Sequence, residues 1–285
     1  MRKICGILAV ILALLCFGAC FAEEENPYKT PGGYDVYQAG ALYSIPKEIT
    51  YYSTTCEKDR LFNLYLPVNY TEEKTYPVLY LLHGIGGNHA EWKGGKPEII
   101  IGNLVKNGEA PEMIIVTPNI KAFHVSVQTA GTYSAETFAA FDNFINELKN
   151  DIMPYMKENY SIAEGRENTA IAGLSMGGRE ALYIGLSMPE TFGYVGAFCP
   201  APGVLPYYAE KGLFANEDFK AAEGYDTLIL INAGLTDNVV GDWPKTYSET
   251  LTANGTEHIF YESIGGHDFF VWKNGLYNFA KRIFD

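Results

Sequence analysis

One junction constrains this chain more than any other. The apolar run Thr169-Ala170-Ile171-Ala172 ends in Gly173-Leu174-Ser175-Met176-Gly177-Gly178, and a helical pattern starts at Met176. A buried strand that breaks into G-x-S-x-G and restarts as a helix holds its serine in a strained turn. The hydroxyl is thereby presented above the sheet edge, where a histidine can reach it. The glycines are needed because side chains flanking that turn would strike the neighbouring strand and helix. The chain also carries its own control. Gly185-Leu186-Ser187-Met188 repeats the same letters, but Pro189 replaces the second glycine and no strand precedes it. Ser187 therefore reads as a helix-terminus residue.

Short β-like runs surround the junction, at 48–53, 61–66, 76–82, 113–117, 169–173, 194–199, 227–232 and 258–263. The first two flank a polar segment and suggest an antiparallel hairpin. The later ones are almost wholly apolar, as parallel strands covered on both faces should be. Between them, Phe138, Phe141, Ile145, Leu148, Ile152 and Tyr155 recur at steps of three and four, with Ser134 available as an N-cap. Pro154 is expected to kink or end that helix. The alternation predicts an α/β fold, a doubly wound and mostly parallel sheet of about eight strands behind an N-terminal antiparallel hairpin. With 285 residues and 47% hydrophobic content, residues 44–285 suffice for one domain. Sites in such sheets form at the carboxyl ends of strands, where the serine turn, 232–237 and 263–268 all fall.

A nucleophilic serine needs a base, and the base needs an orienting acid. After Ser175 only His258 and His267 remain. His258 opens a strand, whereas His267 sits in the flexible loop Gly265-Gly266-His267-Asp268 past the last strand and is the predicted base. Asp237, in Gly234-Leu235-Thr236-Asp237, is the predicted acid, with Asp242 the main rival and Asp268 a weaker one. The oxyanion of an acyl-transfer intermediate needs two backbone N–H donors. Met176 supplies one, and Ile85 in His83-Gly84-Ile85-Gly86-Gly87 is the choice for the other, with His83 supporting that loop. These glycines also fit a plain tight turn.

Residues 1–22 read as a secretory signal: Arg2 and Lys3 precede an apolar run to Phe21, and Glu23-Glu24-Glu25 ends it. Cleavage after Ala22 is expected. Phe17-Gly18-Ala19-Cys20 offers the alternative of a lipoprotein anchored at Cys20, and an uncleaved anchor is a third reading. The location predicted is therefore extracellular or periplasmic, with a membrane as partner only if Cys20 is lipidated. Residues 23–43, rich in Glu, Pro, Gly and Tyr, read as an extended leader onto the domain. Loss of Arg2 and Lys3 takes the net charge from −13 to −15, which excludes nucleic acid as a natural partner. Only Cys56 and Cys199 lie beyond the leader, without metal spacing, so no disulfide framework is expected.

Three stretches carry a resemblance: Leu81-Leu82-His83-Gly84-Ile85-Gly86-Gly87, Ile171 to Gly178, and Gly265-Gly266-His267-Asp268-Phe269 with Val271-Trp272. Together they resemble carbohydrate esterase family one of the α/β-hydrolases, over roughly residues 45–283. Members of that family include feruloyl esterases and acetylxylan esterases. The resemblance implies a triad of Ser175, Asp237 and His267 and no metal or organic cofactor. S-formylglutathione hydrolases are relatives too, but a secretory leader argues against that cytosolic activity. Trp92, Phe123, Tyr133, Phe269 and Trp272 lie in or near loops expected at the mouth and suit a feruloyl ring, although a chain with 14% aromatics places some near any site. The expected activity is hydrolysis of feruloyl esters on plant cell-wall polysaccharide (xylan or its oligosaccharides). Acetylxylan deacetylation is the alternative, and a catalytically inactive glycan-binding scaffold the rival from another class.

Overall fold

The computed structural model describes residues 26–127, 130–208 and 211–284. Residues 1–22, where a leader and its cleavage site are expected, lie outside the described residues, and so does Cys20. Eight strands form one sheet: β1 (Lys47–Ser53), β2 (Lys58–Tyr65), β3 (Val78–Leu82), β4 (Ile114–Pro118), β5 (Thr169–Leu174), β6 (Tyr194–Phe198), β7 (Leu228–Gly234) and β8 (Ile259–Ser263). Their spatial order is β1-β2-β4-β3-β5-β6-β7-β8. The hairpin β1–β2 and the β2–β4 pair are antiparallel, and every pair from β4 to β8 is parallel. Residues of β3, β4 and β5 are buried almost without interruption, as a sheet covered on both faces demands.

The two faces are covered by different helices. Helix α1 spans Pro97–Asn107, α5 Met176–Ser187, α6 Trp243–Ala253 and α7 Phe269–Ala280. A Cβ on Gly185 of α5 would press on Val195 and Ile171, whereas a Cβ on Gly196 would press on Phe279 of α7. Neighbouring residues of a strand point to opposite faces, so α5 and α7 lie on opposite sides of β6. Ser187 ends α5 and is exposed, as its sequence context predicts.

The stripe from Phe138 to Tyr155 is helical but interrupted. It divides into α2 (Ala135–Asp142), α3 (Phe144–Glu147), a π-helical turn at Leu148–Ile152 and α4 (Met153–Asn159). Ser134 caps α2 as predicted, accepting the Thr137 N–H at 3.3 Å. Pro154 neither ends nor breaks this run; it opens α4. The widened turn just before it absorbs the missing N–H and the ring clash that a regular helix would suffer.

The segment that follows residue 26 was expected to be extended but runs through successive turns, closed by bonds such as Lys29 N–H to Asn26 at 3.0 Å, and it packs on α7. Tyr28 stacks on Tyr261 at 4.2 Å, and its carbonyl accepts from Asn274 and Asn278. Tyr43 donates to Asn103 of α1 at 2.8 Å. Cys56 and Cys199 are both buried and free.

Candidate active site

Ser175 sits between β5 and α5 at φ 53°, ψ −118°, a conformation a side-chain-bearing residue adopts only under constraint. Two backbone bonds impose it: its N–H donates to Phe198 at 2.9 Å, and its carbonyl accepts from Ala201 at 3.0 Å. A Cβ on Gly173 would approach Gly177 Cα at 2.9 Å, and one on Gly177 would lie 2.7 Å from the His83 carbonyl oxygen. Strand, turn and helix fit only because these positions are bare.

His267 lies in the loop from β8 to α7 and Asp237 in the loop from β7 to α6. The two loops are stitched together: Leu235 N–H donates to Ser263 and Thr236 N–H to Gly265, both at 2.9 Å. His267 Nε2 is 2.9 Å from Ser175 Oγ, and its Nδ1 is 2.7 Å from Asp237 Oδ2. The other carboxylate oxygen accepts the Val239 and Val240 N–H groups at 2.9 and 3.2 Å. Burial would raise the Asp237 carboxyl; the bond from His267 and these two amides outweigh it and hold the group below its ordinary value. A carboxylate only accepts, so Nδ1 carries the proton and the Nε2 lone pair faces the serine hydroxyl.

The rival residues lie outside this chain of contacts. His258 donates from Nδ1 to Thr256 at 2.9 Å and accepts from Ser248 at 2.7 Å. Asp242 precedes α6 and is exposed. Asp268 caps α7 through Phe270 N–H at 2.8 Å.

The loop after β3 faces the serine turn. A Cβ on Gly84 would come within 3.5 Å of Ser175 Cβ. The Gly84 carbonyl accepts from His83 Nδ1 at 2.7 Å and from Gly87 N–H at 3.1 Å. Because the peptide is planar and trans, the Ile85 N–H projects the opposite way from that carbonyl. Among the described residues, neither Ile85 N–H nor Met176 N–H donates a backbone or side-chain hydrogen bond.

Of the five aromatic residues expected at the mouth, two are placed otherwise. Trp92 is only 1% exposed; its indole donates to the Leu82 carbonyl at 2.8 Å, so it braces β3 from inside rather than lining a pocket. Trp272 is buried and meets His267 edge to face at 5.1 Å, backing the imidazole. Phe269, half-buried, packs on both tryptophans. Phe123 is half-buried in the loop after β4, and Tyr133 is exposed in the turn before α2.

Two neighbours of the site were not legible in the sequence. Glu91 accepts the Gly84 N–H at 2.6 Å. Cys199 places its thiol with donor atoms of Asp237 and His267 inside a 4.8 Å cluster. Burial and the Asp237 carboxylate push that thiol up, so it stays a neutral S–H behind the acid. Each joins positions far apart in sequence or separated by a turn, which periodicity does not register. The cluster also offers the nitrogen, oxygen and sulfur donors that a metal ion accepts, but Asp237 and His267 already spend theirs on each other.

A family model described as "Putative esterase" matches residues 53–282. The solved structure of a CE1 ferulic acid esterase from Anaeromyces mucronatus, in complex with ferulic acid, superposes with TM-score 0.86 at 42% identity, covering 91% of this chain and 98% of that one. The chain belongs to the esterase family, as a member of carbohydrate esterase family one. This esterase is also 29% identical, over 94% of its length, to an endo-1,4-beta-xylanase/feruloyl esterase of Xylanibacter ruminicola, of which it spans 35%. It is 24% identical to an acetyl esterase of Caldicellulosiruptor saccharolyticus, covering 81% of this chain and 95% of that relative. The α/β-hydrolase fold expected from the serine turn is thus the fold of its structural relatives.

Proposed function

We propose that the protein is a secreted serine esterase that removes feruloyl groups from plant cell-wall xylan or its oligosaccharides. The observation that carries this reading is the continuous chain Ser175–His267–Asp237, with links of 2.9 and 2.7 Å. Ser175 Oγ attacks the ester carbonyl while His267 Nε2 takes its proton. Asp237 holds the protonated imidazole in place. The oxyanion that forms is received by the Met176 and Ile85 N–H groups, each such donor being worth about 3–4 kcal/mol in barrier height. Collapse of the tetrahedral species breaks the ester C–O bond, and His267 returns the proton to the departing sugar hydroxyl. A water activated by the same imidazole then cleaves the acyl-enzyme and frees Ser175. No step calls for a metal or an organic cofactor.

Feruloyl preference is supported by the relatives named for ferulate and by Phe123, Tyr133 and Phe269, which remain the candidates for contact with an aromatic acyl group or with sugar. The acetyl esterase relative supports the second reading, deacetylation of xylan. Parallel assays on methyl ferulate and acetylated xylan test the choice: turnover of ferulate is expected, and activity on acetate alone overturns it. Labelling of Ser175 by a fluorophosphonate is expected; an inert protein would be the inactive glycan-binding scaffold instead. Mass spectrometry of the mature N-terminus should find cleavage after Ala22, and a lipid on Cys20 would replace secretion with anchoring.

A further inference from the structure

Segment 88–95 folds back beneath the loop that carries Ile85. Its backbone is held from the sheet: Asn63 Nδ2 and Thr117 Oγ1 both donate to the His89 carbonyl, at 2.7 and 2.8 Å. From that platform two side chains reach up to either side of His83. The Trp92 indole takes the Leu82 carbonyl at 2.8 Å, and the Glu91 carboxylate takes the Gly84 N–H at 2.6 Å. The carboxylate fills the space beside Gly87 so closely that a Cβ there would lie 2.6 Å from Glu91 Cδ. The peptides on both sides of Gly84 are therefore clamped, one by Glu91 at its N–H and one by His83 at its C=O. A charge-assisted bond of this kind is about twice as strong as a neutral one.

We infer that Glu91 is a positioning residue for the oxyanion hole: by holding Gly84 N–H it fixes the peptide before the one that carries Ile85 N–H, so that the two clamps together set where Ile85 N–H is aimed. This rests on the serine-esterase reading above. Preorganisation of a donor matters in the transition state and not in the ground state, so its loss falls on kcat.

The test uses p-nitrophenyl acetate, an activated ester whose small acyl group needs no aromatic pocket. Glu91→Ala is expected to lower kcat about tenfold, less than loss of a whole oxyanion donor, with KM within about twofold. Glu91→Gln, whose amide oxygen still accepts, should restore most of it. Gly87→Ala should push the carboxylate aside and reproduce the Glu91→Ala defect, and the two together should be no worse than either. Amide exchange of segment 83–87 should accelerate in Glu91→Ala and Gly87→Ala but not in Glu91→Gln, whatever ester is turned over. Wild-type kcat in Glu91→Ala, equal damage in Glu91→Gln, additive losses with Gly87→Ala, or unchanged exchange would each overturn the assignment. A wild-type protein inert to fluorophosphonate, with the exchange pattern as expected, would instead sink the esterase reading and leave the clamp standing.

Discussion

The Ile120 N–H donates to His83 Nε2 at 2.9 Å, which leaves Nδ1 to carry the ring proton and donate to the Gly84 carbonyl. Full burial pushes His83 down to about 4, so the ring is neutral across the working range. A protonated ring would turn an N–H against the Ile120 N–H and strain the loop that carries Ile85. A depressed histidine stabilises the fold fully above its unfolded value, near 6.5, and this share is lost as pH falls toward the folded value near 4. Denaturant midpoints should therefore decline from about pH 6.5 downward. His83→Gln should flatten that decline, and an unchanged slope in the variant would assign it to other groups.

Ser175, the proposed nucleophile, sits at positive φ. Ser175→Ala is expected to abolish turnover while keeping the strain, since alanine has the same Cβ. Ser175→Gly should be equally inactive but more stable than Ser175→Ala by about 1 kcal/mol, the strain relieved less the entropy of glycine. Urea titration of the two variants decides this, and equal midpoints would mean that the turn is not strained.

The strands from β3 onward were legible because most are apolar runs bounded by turn residues, and the β1–β2 pair because two β-like runs flank a polar turn, whereas strand order and register are not written in any one run. The meeting of Ser175, His267 and Asp237 was legible because they lie on three loops at carboxyl ends of strands, in the order serine, acid, histidine. Side-chain direction was not. Trp92 stands in a loop next to the site, yet its indole turns inward to Leu82, and nothing in a loop's composition reports which way a ring faces. The π-turn before Pro154 escaped for a related reason: steps of three and four are kept on either side of it, so the stripe looks unbroken.

Gly177 and Gly86 make a paired test of close approach. A Cβ on Gly177 would sit 2.7 Å from His83 O and 2.6 Å from Leu82 C, both backbone atoms that cannot move without shifting β3. Gly177→Ala should cost more than about 2 kcal/mol and most of the activity. Gly86 has nothing within 4 Å of such a Cβ, so Gly86→Ala should fold and turn over as wild type. Thermal melts and kcat on the two variants give the comparison, and a silent Gly177→Ala would contradict the packing.

In the proposed mechanism Asp237 couples catalysis to acid stability. Asp237→Asn should lower kcat by about 10⁴, because an amide in its place favours the imidazole tautomer that turns the Nε2 lone pair away from Ser175. The carboxyl is held below its ordinary value, so its stabilising share is present above about pH 3.9 and disappears as pH falls through the folded value. The variant should be less stable at neutral pH and lack that part of the acid limb. Near-normal kcat in Asp237→Asn would move the acid's role to another carboxylate.

The segment from residue 26 onward is held in part by α7, and Tyr28 is one of its contacts there. Its ring lies flat on Tyr261, 4.2 Å between centroids and 8° between planes, with the Arg282 guanidinium 5.2 Å from its centroid. Tyr28→Ala keeps the carbonyl that Asn274 and Asn278 grip, so only ring burial and stacking are lost, about 2 kcal/mol together. These contacts begin more than a turn beyond His267 along α7, and the imidazole itself is fixed by Asp237 and Trp272. The variant should therefore melt earlier but keep the wild-type kcat below its melting range. A fall in kcat without a fall in stability would mean that the segment steadies the His267 loop as well as the helix that follows it.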